Sequence, residues 1–357
     1  MSLILVLNPG STSTKIAVYR DGKLIFSRSK RHEEESNKTP LVIEQLDFRL
    51  QLVKEALAEA QIKMPDVDAV IGRGGLIKPV PGGTYNVSRD MIEDMLNCRY
   101  GEHASNLGAI MAAKLAEGLS IPVYIADPVV VDEMIPEAKI TGWPEFERIA
   151  ISHALNQKAV AKRFAREQGK NYEDMNLIVA HMGGGSSFGA HYRGKIIDVN
   201  NALDGDGPFS AERTGGLPLR NVLDFCYSDK HTRDEVQRLF VGQGGLYAYL
   251  GTKDGTEIEK RIESGDEKAK MLIRAMAYQS AKEISSLGAV FSGEVDAILV
   301  TGGLAYMKTL TDQIAKRVQY LAPIHIFPGQ DEMGALAQAA EEVLSGKVTA
   351  KEYIALD

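Results

Sequence analysis

The amino-acid sequence predicts an α/β protein of two similar domains that arose by duplication of one half. Two observations lead to this prediction. The segments ILVLNPGSTSTKIAVYRDGKLIFS, near the N-terminus, and LIVAHMGGGSSFGAHYRGKIIDV, from Leu177, both read as strand, Gly/Ser-rich turn, strand, basic-Gly-Lys hairpin and strand. After each segment, apolar strands alternate with amphipathic helices, an order typical of an α/β layer with a mixed sheet.

Corresponding residues occupy nearly equal positions in the two segments. Asn8 precedes the first Gly/Ser turn and Gly22 marks its hairpin, a separation of 14 residues (22 minus 8). His181 and Gly194 hold these places in the second segment, 13 residues apart (194 minus 181). Glycine-rich turns that follow buried strands present backbone N–H groups with no side chain in the way. We expect the two turns to face each other across a cleft and to bind a polyphosphate from both sides.

Apolar periodicity predicts the other elements of the first domain, which we place at residues 1–150. Its longest helix depends on apolar residues that recur every three or four positions: Val42, Leu46, Leu50, Val53 and Leu57. The predicted elements are strands at 3–8, 15–20, 24–28, 69–71 and 123–126, a charged loop at 32–39, a Gly/Pro loop at 72–83, and helices at 41–61 and 104–119.

The second domain is placed at residues 151–332. Besides the second copy of the repeat, it is expected to contain a helix at 153–168, a glycine-rich loop at 204–216, a helical region at 257–291, and strands at 297–300 and 324–327. The C-terminal segment, 333–357, contains a helix predicted over 333–344. If the duplication is pseudo-symmetric, this helix packs back onto the first domain.

Composition and charge exclude several classes of protein. The 357 residues are 44% hydrophobic and 25% charged, which is typical of a folded chain of about two domains. The net charge is −7 and the basic residues are scattered, so we expect no nucleic-acid partner, while a few local cations can still hold a small anion. No apolar run reaches the roughly 18 residues of a membrane helix and no signal peptide is evident, which predicts a cytoplasmic protein with no membrane partner. Cys98 and Cys226 lie far apart, as expected for reduced thiols.

The glycines fit neither a P-loop nor a dinucleotide-binding motif, because no G-x-x-x-x-G-K-[ST] or G-x-G-x-x-G is present. The remaining phosphate-binding device is the strand–turn–strand hairpin. In NPGSTSTK, the hydroxyls of Ser11, Ser13 and Thr14 and the ammonium of Lys15 can reach a terminal phosphate, and Asn8 can orient a metal-bound water. A simple polar hairpin turn is the alternative, and the counterpart HMGGGSS favours phosphate.

Two arginines lie in glycine-rich stretches. Arg73, in IGRGG, ends a buried strand, a placement that suits bidentate binding of a carboxylate or phosphate. An ion pair within the fold is the alternative. Arg213, in DGDGPFSAERTGG, is a candidate to bind the phosphoryl group during transfer.

Further polar residues stand at the ends of predicted elements. Asp127 ends a strand, where ligands bind at a sheet edge, although a solvent-facing cap is also possible. His153 begins a helix and can donate to a phosphoryl oxygen or merely cap the helix. His181 can likewise donate to a phosphoryl oxygen at the second turn, or only hydrogen-bond the backbone. Gly302 and Gly303, in TGGLA, form a turn against which a purine and ribose can lie.

The ordered motifs resemble the butyrate kinase branch of the acetate kinase family, within the actin-like ATPase superfamily. They are NPGSTSTK, GRGG, YGEHASNLG, ADPVVVDEM, HALNQK, AHMGGGSS, NNALDGDGPFSAERTGGLP and TGGLA, and they span essentially the whole chain. The resemblance implies a duplicated ribonuclease-H-like fold. It also implies reversible transfer of the γ-phosphoryl group of ATP to butyrate or a similar short or branched-chain carboxylate, with Mg²⁺, to give ADP and an acyl phosphate, in a homodimer or higher homo-oligomer.

The resemblance also assigns roles to residues at matching positions. It associates Asn8 and Glu332 with the metal, and Ser11, Ser13 and Lys15 with the phosphate turn. It associates Arg73 with the substrate carboxylate, and Asp127, His153 and Arg213 with the transferring phosphoryl group. The residues associated with the nucleotide are His181, Gly183, Gly184, Gly185, Asp254, Gly302 and Gly303.

Three positions depart from the family pattern. Gly184 stands where acetate kinases have asparagine, and Ser152 where they have phenylalanine, which predicts a roomier or differently shaped acyl pocket. Thr256 stands where relatives have arginine, so we expect this position not to stack on the base.

A carboxylate is already ionised at neutral pH and needs no general base. We therefore expect Asp127 to position the metal or its waters. An acetate or propionate kinase, a sugar kinase in which Asp127 is the base, and a nucleotide-driven switch remain alternatives.

Overall fold

The computed structural model describes residues 2–11, 13–32 and 41–355. Its contacts divide the chain into two compact units: the first is Met1–Val131 with Asp331–Asp357, and the second is Asp132–Gln330. Most of the predicted charged loop at 32–39 lies outside the described residues, as does Thr12 of the first Gly/Ser turn. No helix in the described ranges is long and apolar enough to cross a membrane.

The first unit is built on a sheet of six strands: β1 Leu3–Pro9, β2 Ser13–Arg20, β3 Lys23–Arg31, β4 Ala69–Arg73, β5 Thr84–Asn86 and β6 Val123–Ala126. Their order in the sheet is β3-β2-β1-β4-β6-β5. β1 runs antiparallel to β2 and parallel to β4, and β4 is parallel to β6. The first unit also contains the helices α1 Leu46–Glu59, which follows a 3-10 turn at Val42–Gln45, α2 Arg89–Leu96 and α3 Asn106–Ala116. Because β1 is buried on both faces, its sequence LILVLNP is almost continuously apolar.

The second unit contains a sheet of five strands: β7 Asn176–Met182, β8 Ser186–Tyr192, β9 Lys195–Val199, β10 Ala297–Gly302 and β11 Ile324–Pro328. Their order in the sheet is β11-β10-β7-β8-β9. The helices of this unit are α4 Pro136–Lys139, α5 Ala154–Glu167, α6 Leu219–Cys226, α7 Arg233–Phe240, α8 Gly245–Leu250, α9 Gly255–Glu263, α10 Glu267–Gly288 and α11 Lys308–Val318.

The two sheets repeat the same strand order. β3-β2-β1-β4-β6 corresponds to β9-β8-β7-β10-β11, with the first three strands antiparallel and the last three parallel in both units. The register also shifts at equivalent places, between Val18 and Tyr19 on β2 and between Ala190 and His191 on β8. Both hairpins have two consecutive residues at positive φ, as in a type I′ turn. The duplication read from the sequence is therefore present in the backbone.

The division of the chain differs from the predicted boundary at 150. Residues 132–150 pack with the second unit because Glu133 is tied to its sheet: the carboxylate accepts from the backbone N–H of Ile196 at 2.8 Å and pairs with Lys158 at 2.9 Å. At the other end the last helix, α12 Glu332–Leu344, packs on β1 and β4 of the first unit. The backbone N–H of Lys351 then donates to the carbonyl of Thr84 at 2.8 Å.

Several short elements were not predicted. β5 has only three residues, and α2, α6, α7 and α8 have six to eight residues each, too few for a clear periodic pattern. Their boundaries depend instead on local caps, such as the Thr232 and Glu235 capping box that starts α7. α11 was missed because it follows the TGGLA turn without a separate start signal.

Candidate active site

In the first unit, the predicted phosphate turn joins β1 to β2. The N–H of Gly10 donates to the carbonyl of Ser13 at 2.7 Å and closes the described part of the turn. Ser11 and Lys15 are exposed and Ser13 is half-buried, whereas Thr14 is fully buried, so the prediction that its hydroxyl reaches a phosphate is wrong. Asn8 lies directly opposite Lys15 in the antiparallel ladder, so both side chains project from the same face of the sheet. The exposed hydroxyls and ammonium are therefore available to an anion.

A buried arginine that sequence reasoning missed supports this turn from below. Arg49, on α1, is fully buried. Its Nη1 donates to the carbonyls of Gly10 at 2.9 Å and Ser13 at 3.3 Å and to Oγ1 of Thr14 at 3.2 Å. Its neutral partner is Gln45, whose Oε1 accepts from Nη2 at 2.7 Å. Among the described residues, no carboxylate forms an ion pair with this guanidinium.

Burial lowers the pKa of Arg49 to about 10, so the guanidinium is still a cation at neutral pH. It therefore places a positive charge directly behind the turn. A signal was present in the sequence, because Arg49 lies on the helix stripe that also buries Val53, Ala56 and Leu57. A charged residue at a core position indicates a buried polar partner.

Three predicted residues of the first unit meet at the ends of β1 and β4. The amide Nδ2 of Asn8 donates to Oε2 of Glu332 at 2.7 Å, across 324 residues of sequence. Nη1 of Arg73 lies 3.4 Å from the same carboxylate oxygen and 3.5 Å from Oδ1 of Asn8. Glu332 is buried in the first turn of α12, whereas a fifth of the Arg73 side chain is exposed. Arg73 thus has both an ion-pair partner in the fold and access to a ligand.

The position of Arg73 depends on two glycines. Gly72 on β4 and Gly108 on α3 face each other, and a Cβ on either would collide with the backbone of the opposite element. The close packing that they permit brings Asn106, at the start of α3, against the loop after β4. There its Oδ1 accepts from the N–H of Leu76 at 2.8 Å. This contact defines the path of the chain that leaves Arg73.

Asp127 has an unusual backbone conformation at the end of β6. Its φ is 38°, in the left-handed region, although the next residue is Pro128, which normally restricts its predecessor to extended conformations. Two hydrogen bonds with Gly83 hold it: Oδ1 accepts from the Gly83 N–H at 2.7 Å, and the Asp127 N–H donates to the Gly83 carbonyl at 3.0 Å. The residue is buried, so it is not the solvent-facing cap considered above. Strain of about 1–3 kcal/mol, held by such contacts, is typical of functional positions.

In the second unit, the structure brings His153 and His181 together. Their rings are stacked, with centroids 3.8 Å apart and planes 8° apart. His153 occupies the N-cap position of α5, and its Nδ1 lies 2.9 Å from Oγ of Ser187. Nδ1 of His181 lies 2.7 Å from Oδ1 of Asn156. Neither histidine is a simple backbone cap, because each ring has a specific side-chain partner.

Arg213 lies against the second Gly/Ser turn. Its guanidinium donates to the carbonyl of Ala202, and a Cβ at Gly185 would coincide with that guanidinium. Gly185 is therefore the residue that leaves room for the arginine. Burial lowers the pKa of Arg213, and the carboxylates of Glu212 and Asp204 partly offset this. In the described part of the chain, Nε of Arg213 is buried with no hydrogen-bond partner, a cost of about 1–3 kcal/mol that a ligand oxygen would remove.

A cavity of about 490 Å³ opens beside the same turn. Four of its lining residues are predicted to bind the nucleotide: Gly183, Gly184, Asp254 and Gly303. The hydroxyl of Thr256 and the aromatic ring of Tyr306 also line the cavity. The volume is in the range of small-molecule sites. Another predicted glycine, Gly302, pairs with Gly329 through two backbone hydrogen bonds of 2.9 and 3.0 Å, which hold the turn after β10.

Three polar or aromatic residues of this region differ in their surroundings. Oδ1 of Asp254 caps α9 by accepting from the N–H of Thr256 at 2.8 Å and of Glu257 at 3.3 Å. Tyr306, 69% exposed at the edge of the cavity, presents an aromatic ring that sequence reasoning did not select. Ser152, which marks a departure from the family pattern, is buried, and its hydroxyl has no partner among the described residues.

The donors present are compatible with Mg²⁺, the metal that the family implies. Among the described residues, no group of three His, Cys, Asp or Glu side chains is arranged to hold a metal ion. Glu332 and the Asn8 amide provide one carboxylate and one amide at the phosphate turn. This fits an ion that binds through one or two carboxylates and keeps waters and substrate phosphates as its other ligands.

Comparisons with known proteins agree with these observations. Residues 150–325 match the model of the acetokinase family. The chain is 51% identical over 351 residues to butyrate kinase 2 of Clostridium acetobutylicum, an alignment that covers 98% of this chain and 99% of that protein.

Two solved structures share the fold. The acetate kinase of Porphyromonas gingivalis matches with a TM-score of 0.78 at 18% identity, covering 96% of this chain and 100% of the other. A propionate kinase from Francisella tularensis subsp. tularensis SCHU S4 matches with a TM-score of 0.74 at 20% identity, covering 95% and 99%. The predicted class, a duplicated α/β protein with the actin-like ATPase fold, is confirmed. The chain belongs to the acetokinase family.

Proposed function

We propose that this chain catalyses reversible transfer of the γ-phosphoryl group of ATP to butyrate or a similar short or branched-chain carboxylate. The products are ADP and an acyl phosphate. The observation that supports this most directly is the cluster of Asn8, Arg73 and Glu332, which places a partly exposed guanidinium beside the phosphate turn. The similarity of the whole chain to a butyrate kinase also supports it.

The main physical problem of this reaction is repulsion between two anions. A carboxylic acid with a pKa near that of a glutamate side chain, about 4.3, is ionised at neutral pH and must approach a polyphosphate. At about 4 Å two unit charges repel by about 4 kcal/mol at an effective dielectric constant of about 20. Lys15, Arg73 and Arg213 are the side-chain cations that offset this repulsion in our proposal, with the buried charge of Arg49 behind the turn. Mg²⁺, when bound near Asn8 and Glu332, would add charge neutralisation.

The residues of the second unit bind the nucleotide and stabilise the transferring group in this proposal. Gly183, Gly184 and Gly185 offer backbone close to phosphates, and the adjacent cavity accepts the adenosine. Tyr306 takes the stacking role left open by Thr256. The unpaired Nε of Arg213 and the ring of His153 donate to phosphoryl oxygens, where charge develops during transfer.

The acyl chain is expected to lie near Ser152. Replacing a phenylalanine by this small residue leaves space for methylene groups, each of which contributes about 0.8 kcal/mol when buried. A roomier pocket therefore favours four-carbon and branched acids over acetate. This accounts for the proposed preference among carboxylates.

A rate profile over straight and branched acids of two to six carbons, each with ATP and Mg²⁺, tests the proposal. We expect acid-dependent ADP release with the highest kcat/KM for four-carbon or branched five-carbon acids. Hexoses serve as controls for a sugar kinase, and ATP alone as a control for a hydrolytic switch. Phosphorylation of a hexose without any response to acids, or a high ATPase rate that acids leave unchanged, would refute the proposal.

We also propose that the chain forms a homo-oligomer. α6 has no buried residue, and three large apolar or aromatic side chains along or beside it are exposed: Leu219 at 76%, Leu223 at 51% and Tyr227 at 82%. Monomeric proteins rarely expose such a contiguous patch. Light scattering should report at least a dimer, and a double substitution of Leu219 and Leu223 by glutamate should produce a smaller species. A monomeric native chain would contradict this.

A further inference from the structure

A chain of buried side chains runs behind His153. The Tyr172 hydroxyl lies 2.6 Å from Nδ1 of His191, and Nε2 of His191 lies 2.8 Å from Oε1 of Gln157. Nε2 of Gln157 donates to Oγ of Ser187 at 2.7 Å, and that Oγ lies 2.9 Å from Nδ1 of His153. Ser187, Gln157 and His191 are fully buried, and Tyr172 is nearly so. These four residues are called the relay below.

The orientation of the Gln157 amide is determined by a backbone atom. The nitrogen assigned as Nε2 also donates to the carbonyl oxygen of Ser187 at 3.1 Å. A carbonyl only accepts, so the atom facing it must be the nitrogen, and a flipped amide is excluded. Oε1 therefore faces His191 and requires a proton on Nε2 of that ring.

The other nitrogen of His191 is an acceptor. Complete burial, and then the neighbouring Lys158 ammonium, hold the pKa of His191 well below its usual value of 6.5, so the ring is neutral at pH 7. With its proton on Nε2, Nδ1 accepts from the Tyr172 hydroxyl. Each member of the relay up to Gln157 thus has one allowed proton position.

The Ser187 hydroxyl determines which ring nitrogen of His153 carries the proton. Its hydroxyl oxygen already accepts from Nε2 of Gln157 and from the backbone N–H of His153 at 3.3 Å. A hydroxyl has two acceptor sites and one proton, so the proton of Ser187 remains to be donated. Among the described residues, Nδ1 of His153 is the acceptor that lies within reach of this proton, at 2.9 Å.

We propose that the relay holds His153 in the neutral tautomer with its proton on Nε2, so that this ring presents an N–H donor to the transferring phosphoryl group. The stack with His181 holds the plane of the ring, and the relay selects its proton position. Ser187, Gln157, His191 and Tyr172 are positioning residues in this scheme. The catalytic use of the donor depends on the function proposed above, whereas the tautomer itself does not.

Nitrogen-15 NMR of histidine-labelled protein tests the tautomer without any substrate. The His153→Gln variant identifies the ring signals that belong to His153. We expect the native ring to show a protonated Nε2 and a bare Nδ1, and Ser187→Ala to give a mixture of tautomers. Ser280→Ala is the matched control, because Ser280 is also a fully buried serine of the second unit and its hydroxyl has no partner among the described residues.

Gln157→Glu provides a second, nearly isosteric variant. A carboxylate oxygen facing Ser187 accepts the serine proton, and the serine then accepts from Nδ1 of His153, so the tautomer should reverse. In kinetics, we expect Ser187→Ala to lower kcat about tenfold, with the KM values for ATP and carboxylate changed less than about twofold. Ser280→Ala should leave kcat and both KM values unchanged.

Three results would overturn the proposal. A native His153 with its proton on Nδ1, or on both nitrogens, contradicts the assigned tautomer. A Ser187→Ala ring identical to the native ring shows that the relay does not control it. If the tautomer changes but kcat in Ser187→Ala equals that of Ser280→Ala, the relay has no role in catalysis. Absence of carboxylate kinase activity in the native protein would refute the proposed function and leave the NMR result standing.

Discussion

Replacing Arg49 by methionine should destabilise the first unit and weaken ATP binding. Methionine fills a similar volume but donates no hydrogen bond, so the carbonyls of Gly10 and Ser13 and the hydroxyl of Thr14 lose a charged donor. These contacts measure 2.9, 3.3 and 3.2 Å. A hydrogen bond from a charged group contributes about 1.5–3 kcal/mol. If the short contact counts fully and the two longer contacts count in part, the free energy of unfolding of the first unit should fall by about 3–5 kcal/mol.

Differential scanning calorimetry measures this loss as a shift in Tm. For a domain of this size, about 1 kcal/mol corresponds to roughly 3 °C, so the transition of the first unit should fall by about 10 °C. Because the turn that Arg49 supports is proposed to bind the terminal phosphate, the KM for ATP should rise about tenfold, which corresponds to about 1.4 kcal/mol. The KM for the carboxylate should change much less.

Two further variants separate the contributions. Arg49→Lys keeps the charge but loses the planar fork, so it should fall between the native chain and Arg49→Met in both measurements. Arg89→Met is the matched control, because Arg89 is an exposed arginine of the same unit whose pair with Glu93 is a surface ion pair. If Arg49→Met melted and bound ATP like Arg89→Met, the guanidinium would not support the turn.

Three other predictions concern the residues around the reacting groups. Arg73→Ala should raise the KM for the carboxylate about tenfold, whereas the KM for ATP should rise less. A steady-state assay in which only the KM for ATP rises would contradict the assignment of Arg73 to the carboxylate. Gly185→Ala should lower kcat about 10²–10³-fold, because the new Cβ displaces the Arg213 guanidinium. Gly184→Ala meets only the end of a flexible side chain, so equal losses in the two variants would refute this reasoning. Asp127→Asn keeps an oxygen acceptor for its backbone partner and should melt like the native chain, while the Mg²⁺ concentration that gives half-maximal rate rises about 10–100-fold. An unchanged Mg²⁺ titration would exclude Asp127 from positioning the metal.

Much of the fold was predictable because its signals are local. The apolar runs of β1 and β7, the Gly/Ser turns and the basic-Gly-Lys hairpins are encoded in neighbouring residues, and the repeated pattern predicted two similar sheets. The predicted duplication appears even in the matching register shifts of β2 and β8. Short helices such as α6 and α8 were not predicted, because so few residues do not form a clear periodic pattern. The expectation that the two turns face each other across a cleft remains a prediction.

For the candidate site, too, local features could be predicted from the sequence and long-range contacts could not. Asn8, Arg73, His153 and Arg213 were selected from their places at the ends of predicted elements or in glycine-rich runs, and from the family resemblance. By contrast, the contacts that orient these residues join distant parts of the chain, such as Asn8 with a glutamate 324 residues away.

By itself, the sequence determined which strand ends carry polar residues, because strand, turn and hairpin follow from neighbouring side chains. Only the tertiary structure decided that a buried arginine supports the first turn and that a serine, a glutamine, a second histidine and a tyrosine order the protons behind His153. Those choices depend on which buried donors and acceptors meet after the helices have packed. A buried polar group must find a partner wherever packing leaves one, and no pattern of neighbouring residues specifies that partner in advance.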